Sequence, residues 1–311
     1  MKNIAVLGPN PAWQKTLFFK QFQYGKINRA IEMQEFPAGK GINFCRAATC
    51  YGKTTGHLIQ FTGGENGKKI RSELNKEGMS VFSVETKGAT RCCTTCLCRT
   101  TQNMTEIIEP SFAADSAEIG MLLDYFEDAL DYSDAGAFCG TLPTGTDPAL
   151  YFRAAQIAIA QKKPLLLDSY LNLLPVFKSD AELWLKINAE ELQALTGEKT
   201  IEAGLAKLFE FPAVKLAAVT DGAGRAYATD GKKLAIYTLP RLETVVNPIG
   251  CGDTASAVWA SELLEDADPF EAFRLALACA SANCLSAFPG SFSPADATKI
   301  AEQIDLQFTS R

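Results

Sequence analysis

The sequence contains a single histidine, His57, and this scarcity limits the catalytic chemistry that the chain can carry out. Serine and cysteine triads take their base from histidine, and the G-x-S-x-G nucleophile pattern is also missing. Ten cysteines are present, but Cys93 and Cys96 form one C-x-x-C pair without the second pair that a zinc site requires. We therefore interpret the cysteines as reduced thiols, and those of the segment RCCTTCLC as small buried strand residues.

The chain also has few features of a membrane or nucleic-acid-binding protein. No apolar run approaches the roughly 18 residues that suggest a membrane span. The net charge is -6 and the pI is about 5.1, which argues against a surface for nucleic acid. The N-terminal residues, MKNIAVLGPNP, have no signal-peptide pattern, so we expect a cytoplasmic protein with neither a membrane nor a nucleic-acid partner.

Apolar segments of strand length alternate with longer helical segments along most of the chain, which indicates an α/β fold with a mostly parallel sheet. The predicted strands are KNIAVLG, TGHLIQF, VFSVE, AGAFCG, KPLLLD, ELWLKIN and VKLAAVTD. Three further helices are predicted at Thr254–Leu264, Pro269–Ala287 and Pro294–Phe308, where they would cover one face of the sheet. No Pro/Gly/Ser-rich linker divides the 311 residues, so we predict a single domain over residues 1–311.

Two segments depart from this alternation, at about residues 12–37 and 88–110. Each reads as paired strands around a polar turn. Together they predict a small antiparallel β sheet that projects from the domain as a lid, a device by which enzymes exclude water from a substrate. Its edge strands could also pair with a second subunit, which makes a homodimer through the lid a further expectation.

The octapeptide NPIGCGDT, Asn247 to Thr254, precedes a helical segment and predicts an anion-binding cradle. Glycines leave backbone N–H groups free to point into a concavity, and the helix dipole adds positive charge there. Asp253 is the unexpected member, because a carboxylate repels an anionic guest. From this stretch alone, Asp253 is equally well explained as a catalytic base and as a helix N-cap.

Five motifs in order resemble those of the ribokinase-like (PfkB) carbohydrate kinases, from Asn10 to about Gly290. NPIGCGDT is similar to that family's N-P-x-G-x-G-D-[ST] signature. The others are FPAGKGINFCRA (Phe36 to Ala47), GTLPTG (Gly140 to Gly145), KINAEEL (Lys186 to Leu192) and VTDGAGRAYA (from Val219). The resemblance implies a three-layer α/β/α sandwich with a mostly parallel central sheet and a β lid.

The resemblance also implies in-line phosphoryl transfer from Mg-ATP to a sugar hydroxyl. Asp253 would be the base, and the amides of Gly250, Cys251 and Gly252 would stabilise the transferred group. Asn188 and Glu191 would organise Mg²⁺, with Glu191 acting through water. The remaining nucleotide contacts implied are Thr220, Gly222 and Gly224, with Asn283 and Gly290 near the adenine.

The spacing is most similar to that of the branch containing 1-phosphofructokinase and tagatose-6-phosphate kinase, which implies a ketohexose phosphate as the acceptor. Lys26, Lys40 and Arg91 would converge on the phosphate that this sugar already carries. Gly39 and Asn43 of the K-G-x-N segment and Thr141 of GTLPTG would complete the sugar site.

Three residues depart from the family pattern. Gln14 stands where the family has an aspartate that accepts hydrogen bonds from the sugar, and Trp13 beside it is expected to reshape the pocket. Ala38 replaces the first glycine of G-G-K-G, and Cys251 replaces a commoner Ala or Ser. Three alternatives therefore stay open: an unphosphorylated sugar, a nucleoside, or a sensor without enzymatic activity.

Overall fold

The computed structural model describes residues 1–101 and 103–310. Fourteen strands and ten helices lie in these residues. The strands are β1 (Lys2–Leu7), β2 (Ala12–Phe19), β3 (Glu32–Ala38), β4 (Thr54–Thr62), β5 (Ser80–Glu85), β6 (Cys92–Cys98), β7 (Met104–Ile108), β8 (Ala135–Cys139), β9 (Leu165–Asp168), β10 (Leu183–Asn188), β11 (Val214–Asp221), β12 (Arg225–Thr229), β13 (Lys233–Thr238) and β14 (Asp305–Ser310). The helices are α1 (Lys40–Tyr51), α2 (Gly64–Lys76), α3 (Ser116–Asp131), α4 (Leu150–Ala160), α5 (Leu174–Phe177), α6 (Ala189–Thr196), α7 (Ile201–Leu208), α8 (Cys251–Leu263), α9 (Pro269–Asn283) and α10 (Pro294–Ala301).

Ten strands form the main sheet, in the order β14-β13-β12-β11-β10-β9-β8-β1-β4-β5. The pairs from β5 to β11 are parallel, and β12, β13 and β14 extend the sheet in antiparallel fashion. The central strands AGAFC and LLLD are buried along their whole length, as expected for a sheet covered on both faces. The predicted mostly parallel sheet is confirmed.

Helices cover both faces of this sheet and enclose two hydrophobic clusters. One cluster packs α1, α2, α8, α9 and α10 against the sheet, and the other packs α3, α4, α5, α6 and α7. The three-layer α/β/α architecture expected from the sequence is therefore confirmed. Within the described residues, no helix is both long and apolar enough to cross a membrane.

The C-terminal prediction of three helices is only partly correct. α8 and α9 form near their predicted positions, although α9 already ends at Asn283. The helix predicted to continue to Phe308 ends at Ala301, and Asp305–Ser310 forms β14 against β13. The segment DLQFTS alternates apolar and polar residues, and an antiparallel neighbour satisfies its backbone groups, so sheet pairing prevails over helical continuation.

A second sheet, which we call the lid sheet, contains four strands in the order β3-β2-β6-β7. The hairpins β2–β3 and β6–β7 are antiparallel, as predicted from the two polar turns. The central pair β2–β6 is parallel, an arrangement that the long connection between the two hairpins permits. Helix α2 lies against β2 and β3 and joins the lid sheet to the main sheet.

The chain order places a crevice between β1 and β8. From β1 the chain proceeds to β4 and β5 on one side, and later strands are added through β8 on the other side. Ligands of open α/β sheets bind at the carboxyl ends of the strands beside such a reversal. The carboxyl ends of β1, β8, β9, β10 and β11 therefore define where a functional site is expected.

Candidate active site

Gly250 is the N-cap of α8 and shapes the cradle predicted from NPIGCGDT. Its φ of 83° is left-handed, and a Cβ at this position would lie 2.8 Å from the Pro289 Cβ, so both conformation and space require glycine. Among the described residues, no side chain caps the first turn of α8. The N–H groups of that turn therefore remain available to an anion in the adjoining cavity.

Asp253 lies inside the first turn of α8 and is not its N-cap, so the capping explanation is wrong. The N-cap is Gly250. The Asp253 side chain is 7% exposed, and its Oδ2 accepts a hydrogen bond of 2.7 Å from Asn43 Nδ2. Burial and the charge of Asp168 raise the pKa of Asp253 to about 6, against the opposing charge of Lys40. A carboxylate with this pKa is suited to accept a proton near neutral pH.

Lys40 connects two carboxylates beside Asp253. Its Nζ lies 2.8 Å from Asp168 Oδ1 and 3.0 Å from Glu191 Oε1. Burial alone would lower the pKa of Lys40, but the charges of Asp168, Glu191 and Asp253 raise it above its usual value. Burial alone would raise the pKa of Asp168, but Lys40 and Lys186 hold it at about 2. One carboxylate is thus fixed as an anion, while Asp253 can gain or lose a proton.

Asp168 lies outside the five motifs, and Lys186 is the first residue of KINAEEL but had no predicted role; both are functional candidates. Asp168 is 1% exposed at the end of β9, and Ser256 Oγ donates to its Oδ2 at 2.5 Å. Lys186 is 3% exposed on β10, with Nζ 3.9 Å from the same oxygen. A Cβ on Gly252 would come within 2.8 Å of this Nζ, so glycine lets the cation reach the cradle. The signals in the sequence were the charged residues in the buried runs KPLLLD and ELWLKIN.

Two cavities meet at the cradle. A polar cavity of about 610 Å³ is lined by Lys40, Lys186, Asp253 and the first turn of α8. An apolar cavity of about 570 Å³ lies beside it and includes Gly224 and Leu277 in its walls. Both cavities are bordered by Thr220, Gly222, Cys251 and Gly252. A polar chamber continuous with an apolar one suits a nucleotide, whose phosphates and base require these two environments.

Asn188 and Glu191 cap α6 in addition to lining the polar cavity. Asn188 Oδ1 accepts from the Glu191 N–H at 2.8 Å, and Glu191 Oε2 accepts from the Asn188 N–H at 3.0 Å. In the described part of the chain, no group of three or more His, Cys, Asp and Glu side chains could hold a metal by itself. The Glu191 carboxylate and the Asn188 amide fit Mg²⁺, which is usually bound through one or two carboxylates together with substrate phosphates and water.

The structure does not bring the predicted trio of Lys26, Lys40 and Arg91 together. Lys40 and Arg91 line one cavity of about 160 Å³, with Gly39 and Thr141 also in its wall. Lys26 lies in the exposed turn between β2 and β3, outside this wall. Arg91 Nη2 donates to the Asn10 carbonyl at 3.2 Å, whereas its Nε is buried without a hydrogen-bond partner among the described residues.

Gln14 is held within the lid sheet. It is 5% exposed, and its Nε2 donates to Thr95 Oγ1 at 2.7 Å and to the Lys15 carbonyl at 3.2 Å. Both amide hydrogens are therefore used inside the lid sheet. Trp13 lines a different cavity, of about 770 Å³, and does not border the one that Lys40 and Arg91 line. Trp13 Nε1 donates to Glu35 Oε1 at 3.3 Å.

Asn283 and Gly290 hold the Gly250 loop through hydrogen bonds and do not line the apolar cavity that suits a nucleotide base. Asn283 is fully buried, and its Nδ2 donates to the Ile249 carbonyl at 3.0 Å. The Gly290 N–H donates to Asn283 Oδ1 at 2.7 Å. A Cβ on Gly290 would lie 2.6 Å from the Asn43 carbonyl oxygen. These two residues therefore position the Gly250 loop against α1, and their predicted place near the adenine stays a prediction.

Comparisons with known proteins agree with this geometry. A family model described as pfkB family carbohydrate kinase matches residues 2–296. The structure is similar to that of a possible 1-phosphofructokinase from Thermotoga maritima, at a TM-score of 0.88 and 18% identity, covering 99% of this chain and 100% of that chain. It is also similar to phosphofructokinase-2 from Escherichia coli in complex with fructose-6-phosphate, at a TM-score of 0.84 and 23% identity, covering 97% and 99%. A carbohydrate kinase from Agrobacterium tumefaciens matches at a TM-score of 0.73 and 19% identity, covering 99% and 100%.

The similarity to these structures establishes the fold, and the family match establishes the kind of enzyme. The matched segment includes Lys40, Asp168, Asp253 and the Gly250 cradle. The chain therefore belongs to the pfkB family of carbohydrate kinases and is a sugar phosphotransferase.

Proposed function

We propose that this protein transfers the γ-phosphoryl group of ATP to a hydroxyl of a ketohexose phosphate, with Asp253 as the general base. The observation that supports it best is the pairing of Asp253 with Asn43. Asn43 Nδ2 donates to the carboxylate at 2.7 Å, whereas Asn43 Oδ1 is buried without a partner among the described residues. Two hydrogen-bond acceptors, the Asp253 carboxylate and Asn43 Oδ1, thus lie together, and the pKa of Asp253 is raised.

A sugar hydroxyl is the donor that such a pair would bind. Its proton would be shared between the Asp253 carboxylate and Asn43 Oδ1, which orients the oxygen for attack. As the O–P bond forms, the hydroxyl proton passes to Asp253, whose pKa of about 6 lets it accept a proton at neutral pH. The same carboxylate is close to the cradle, so the oxygen would attack a phosphoryl group held there.

Backbone amides and fixed cations would stabilise the transferred group. The uncapped first turn of α8 supplies N–H donors, and Lys186 Nζ lies beneath Gly252. Asn188 and Glu191, which line the polar cavity, would organise Mg²⁺ there, with Glu191 acting through water, and the ion would supply positive charge beside the nucleotide phosphates. Thr220, Gly222 and Gly224 border the cavities that would take the nucleotide.

The buried Nε of Arg91 supports an acceptor that already carries a phosphate. A guanidinium N–H without a partner in the protein is costly unless a ligand satisfies it. Arg91 and Lys40 line the same cavity of about 160 Å³ at the carboxyl ends of β1 and β8, where an anionic group would be bound by both. Gln14 does not line this cavity, and it carries an uncharged acceptor, its Oε1, where the family has a carboxylate.

A homodimer through the lid sheet is a second part of the proposal. Both edge strands of the lid sheet carry exposed apolar residues, which favours burial against another surface. These are Met33 (55% exposed), Met104 (44%), Ile107 (56%) and Ile108 (57%). Light scattering is expected to give a dimer for the wild type and a monomer for Ile108→Lys. The control Met121→Lys, at a 48% exposed position on α3, should leave the dimer intact, and a monomeric wild type would contradict the proposal.

The direct test of activity is a panel of acceptors incubated with Mg-ATP. Ketohexose monophosphates, free hexoses and nucleosides are compared by ADP release and by the mass of the product. We expect turnover with a ketohexose phosphate, and none with that acceptor for Asp253→Asn. Turnover restricted to free sugars or nucleosides would refute the phosphosugar assignment. Tight binding of one sugar without ADP release would favour a sensor over an enzyme.

A further inference from the structure

Two thiols face each other at the boundary between the cradle and the apolar cavity. Cys251 is the first residue of α8, and Cys284 follows the last residue of α9. Their Sγ atoms lie 3.0 Å apart, both side chains are half-buried, and both border the apolar cavity. A small oxidant that enters this cavity can therefore reach both sulfur atoms.

The surrounding contacts fix both cysteines in place. Asn283 Nδ2 donates to Cys251 Sγ at 3.2 Å, and the Cys284 carbonyl accepts from the Val246 and Asn247 N–H groups at 2.8 and 3.2 Å. Cys251 belongs to the cradle, while Cys284 is attached to the segment that leads into it. A covalent bond between the sulfurs would join these two pieces of backbone.

We propose that Cys251 and Cys284 are a modification site at which hydrogen peroxide forms a reversible disulfide that inactivates the kinase. The effect on catalysis rests on the proposed function, whereas formation of the bond does not. Intracellular disulfides are usually transient and redox-sensing. Cys251 and Cys284 fit this role because they border the candidate active site and do not lie in the hydrophobic core.

Hydrogen peroxide is the only co-reactant that formation of this disulfide requires. The Cys284 thiolate attacks one oxygen of H₂O₂, so that an S–O bond forms, the O–O bond breaks and hydroxide leaves as water after protonation. Cys251 then attacks the Cys284 sulfenic sulfur, forming the S–S bond and releasing a second water. Two thiols and one peroxide thus give one disulfide and two waters. The hydrogen bond between the two thiols lowers the pKa of Cys284 and raises that of Cys251, which makes Cys284 the first nucleophile.

Disulfide formation would displace the cradle. A disulfide requires an S–S distance of about 2.05 Å, so the two sulfurs must approach each other by roughly 1 Å. Cys251 contributes its own N–H to the first turn of α8, and misplacing a catalytic group by about 1 Å can cost on the order of 100-fold in rate. A nucleotide in the apolar cavity would shield both sulfurs and slow the oxidation.

The experiment compares the reduced protein with the same protein after a brief peroxide treatment. Peptide mapping is expected to find a Cys251–Cys284 crosslink, with about 100-fold lower turnover that dithiothreitol restores. Calorimetry with a non-hydrolysable ATP analogue should show binding weakened at least about tenfold by oxidation. Each variant is compared with its own reduced form. Cys284→Ser should lose the dithiothreitol-reversible inactivation, whereas Cys50→Ser, which removes another half-buried thiol, should keep it.

The outcomes separate this inference from the proposed function. If the reduced protein turns over an acceptor but the crosslink does not form, the inference is overturned and the kinase assignment stands. If no acceptor is turned over, the nucleotide affinities still decide, because equal affinity of the reduced and oxidised forms would overturn the inference. Inactivation that persists in Cys284→Ser and is reversed by dithiothreitol would also overturn it.

Discussion

Replacing Asp253 by asparagine should make the protein more stable while removing its activity. The carboxylate is 7% exposed and lies near the anion of Asp168. Burial and this repulsion disfavour its charged form in the folded state, against the attraction of Lys40. An asparagine keeps the shape and can still accept the hydrogen bond from Asn43 Nδ2, but it carries no charge. Its amide could also donate to Asn43 Oδ1, which has no partner in the described residues.

The size of the effect follows from the pKa. A pKa of about 6 in the folded protein, against an ordinary value of 3.8, means that the unfolded chain ionises more easily. At about 1.4 kcal/mol per pH unit, ionised Asp253 costs the folded state about 3 kcal/mol at pH 7. The cost falls to about 0.6 kcal/mol at pH 4, vanishes below about pH 3, where both states are protonated, and is complete once the pH rises above about 6. We therefore expect Asp253→Asn to raise the free energy of unfolding at pH 7 by up to about 3 kcal/mol.

Urea denaturation of the wild type and the variant at pH 7 and at pH 4 provides the measurement. The gain in stability should be up to about 3 kcal/mol at pH 7 and less than about 1 kcal/mol at pH 4. Turnover of the variant should be lower than that of the wild type by several orders of magnitude. Asp124→Asn, on the exposed face of α3, is the matched control and should change stability by less than about 0.5 kcal/mol. A variant that is destabilised at pH 7, or that turns over near the wild-type rate, would refute the reasoning.

Three further predictions concern the groups around the base. The kcat/KM should rise with pH through an apparent pKa near 6. Asp168→Asn removes a negative charge next to Asp253, so this rise should occur at lower pH in the variant. A rise at the same pH would contradict the effect of Asp168 on the pKa of Asp253. Lys186→Met should lower kcat by about 100-fold with a smaller change in KM, measured by steady-state kinetics, and an unchanged kcat would place Lys186 outside the reaction. Gly250→Ala, with its strained φ and contact with Pro289, should reduce the free energy of unfolding by about 1–3 kcal/mol in urea, and full stability would refute the conformational requirement.

The elements that repeat a simple pattern could be predicted from the sequence. Strands such as AGAFC and LLLD are continuous apolar runs, and burial on both faces produces that signature directly. The segment Asp305–Ser310 could not be assigned correctly, because its strand structure depends on pairing with β13, a contact distant in sequence. The parallel pairing of the two lid hairpins is also a tertiary event that neither hairpin encodes alone.

Motifs located the site but did not show which residues support the backbone around it. Asn188 and Glu191 were expected to act on Mg²⁺, and the structure shows that they also cap α6. Asn283 was expected near adenine, and the structure shows that it holds the Gly250 loop. A motif identifies a residue whose replacement is costly, and it cannot separate contact with the ligand from support of the backbone that makes the contact. Lys26 shows the opposite error, since a charge near a motif in sequence lies in an exposed turn in space.

The two aspartates explain why the site contains more cations than a single base needs. Lys40 and Lys186 both lie within 4 Å of Asp168 carboxylate oxygens, whereas Asp253 is hydrogen-bonded to the neutral amide of Asn43. The cations therefore stabilise the charge of Asp168 first, and the anion of Asp168 in turn opposes the charge of Asp253. Pushing the two pKa values to about 2 and about 6 assigns one carboxylate to a fixed electrostatic role and leaves the other able to exchange a proton. Without Asp168, both lysines would act on Asp253, its pKa would fall, and the group proposed as the base would become a weaker one.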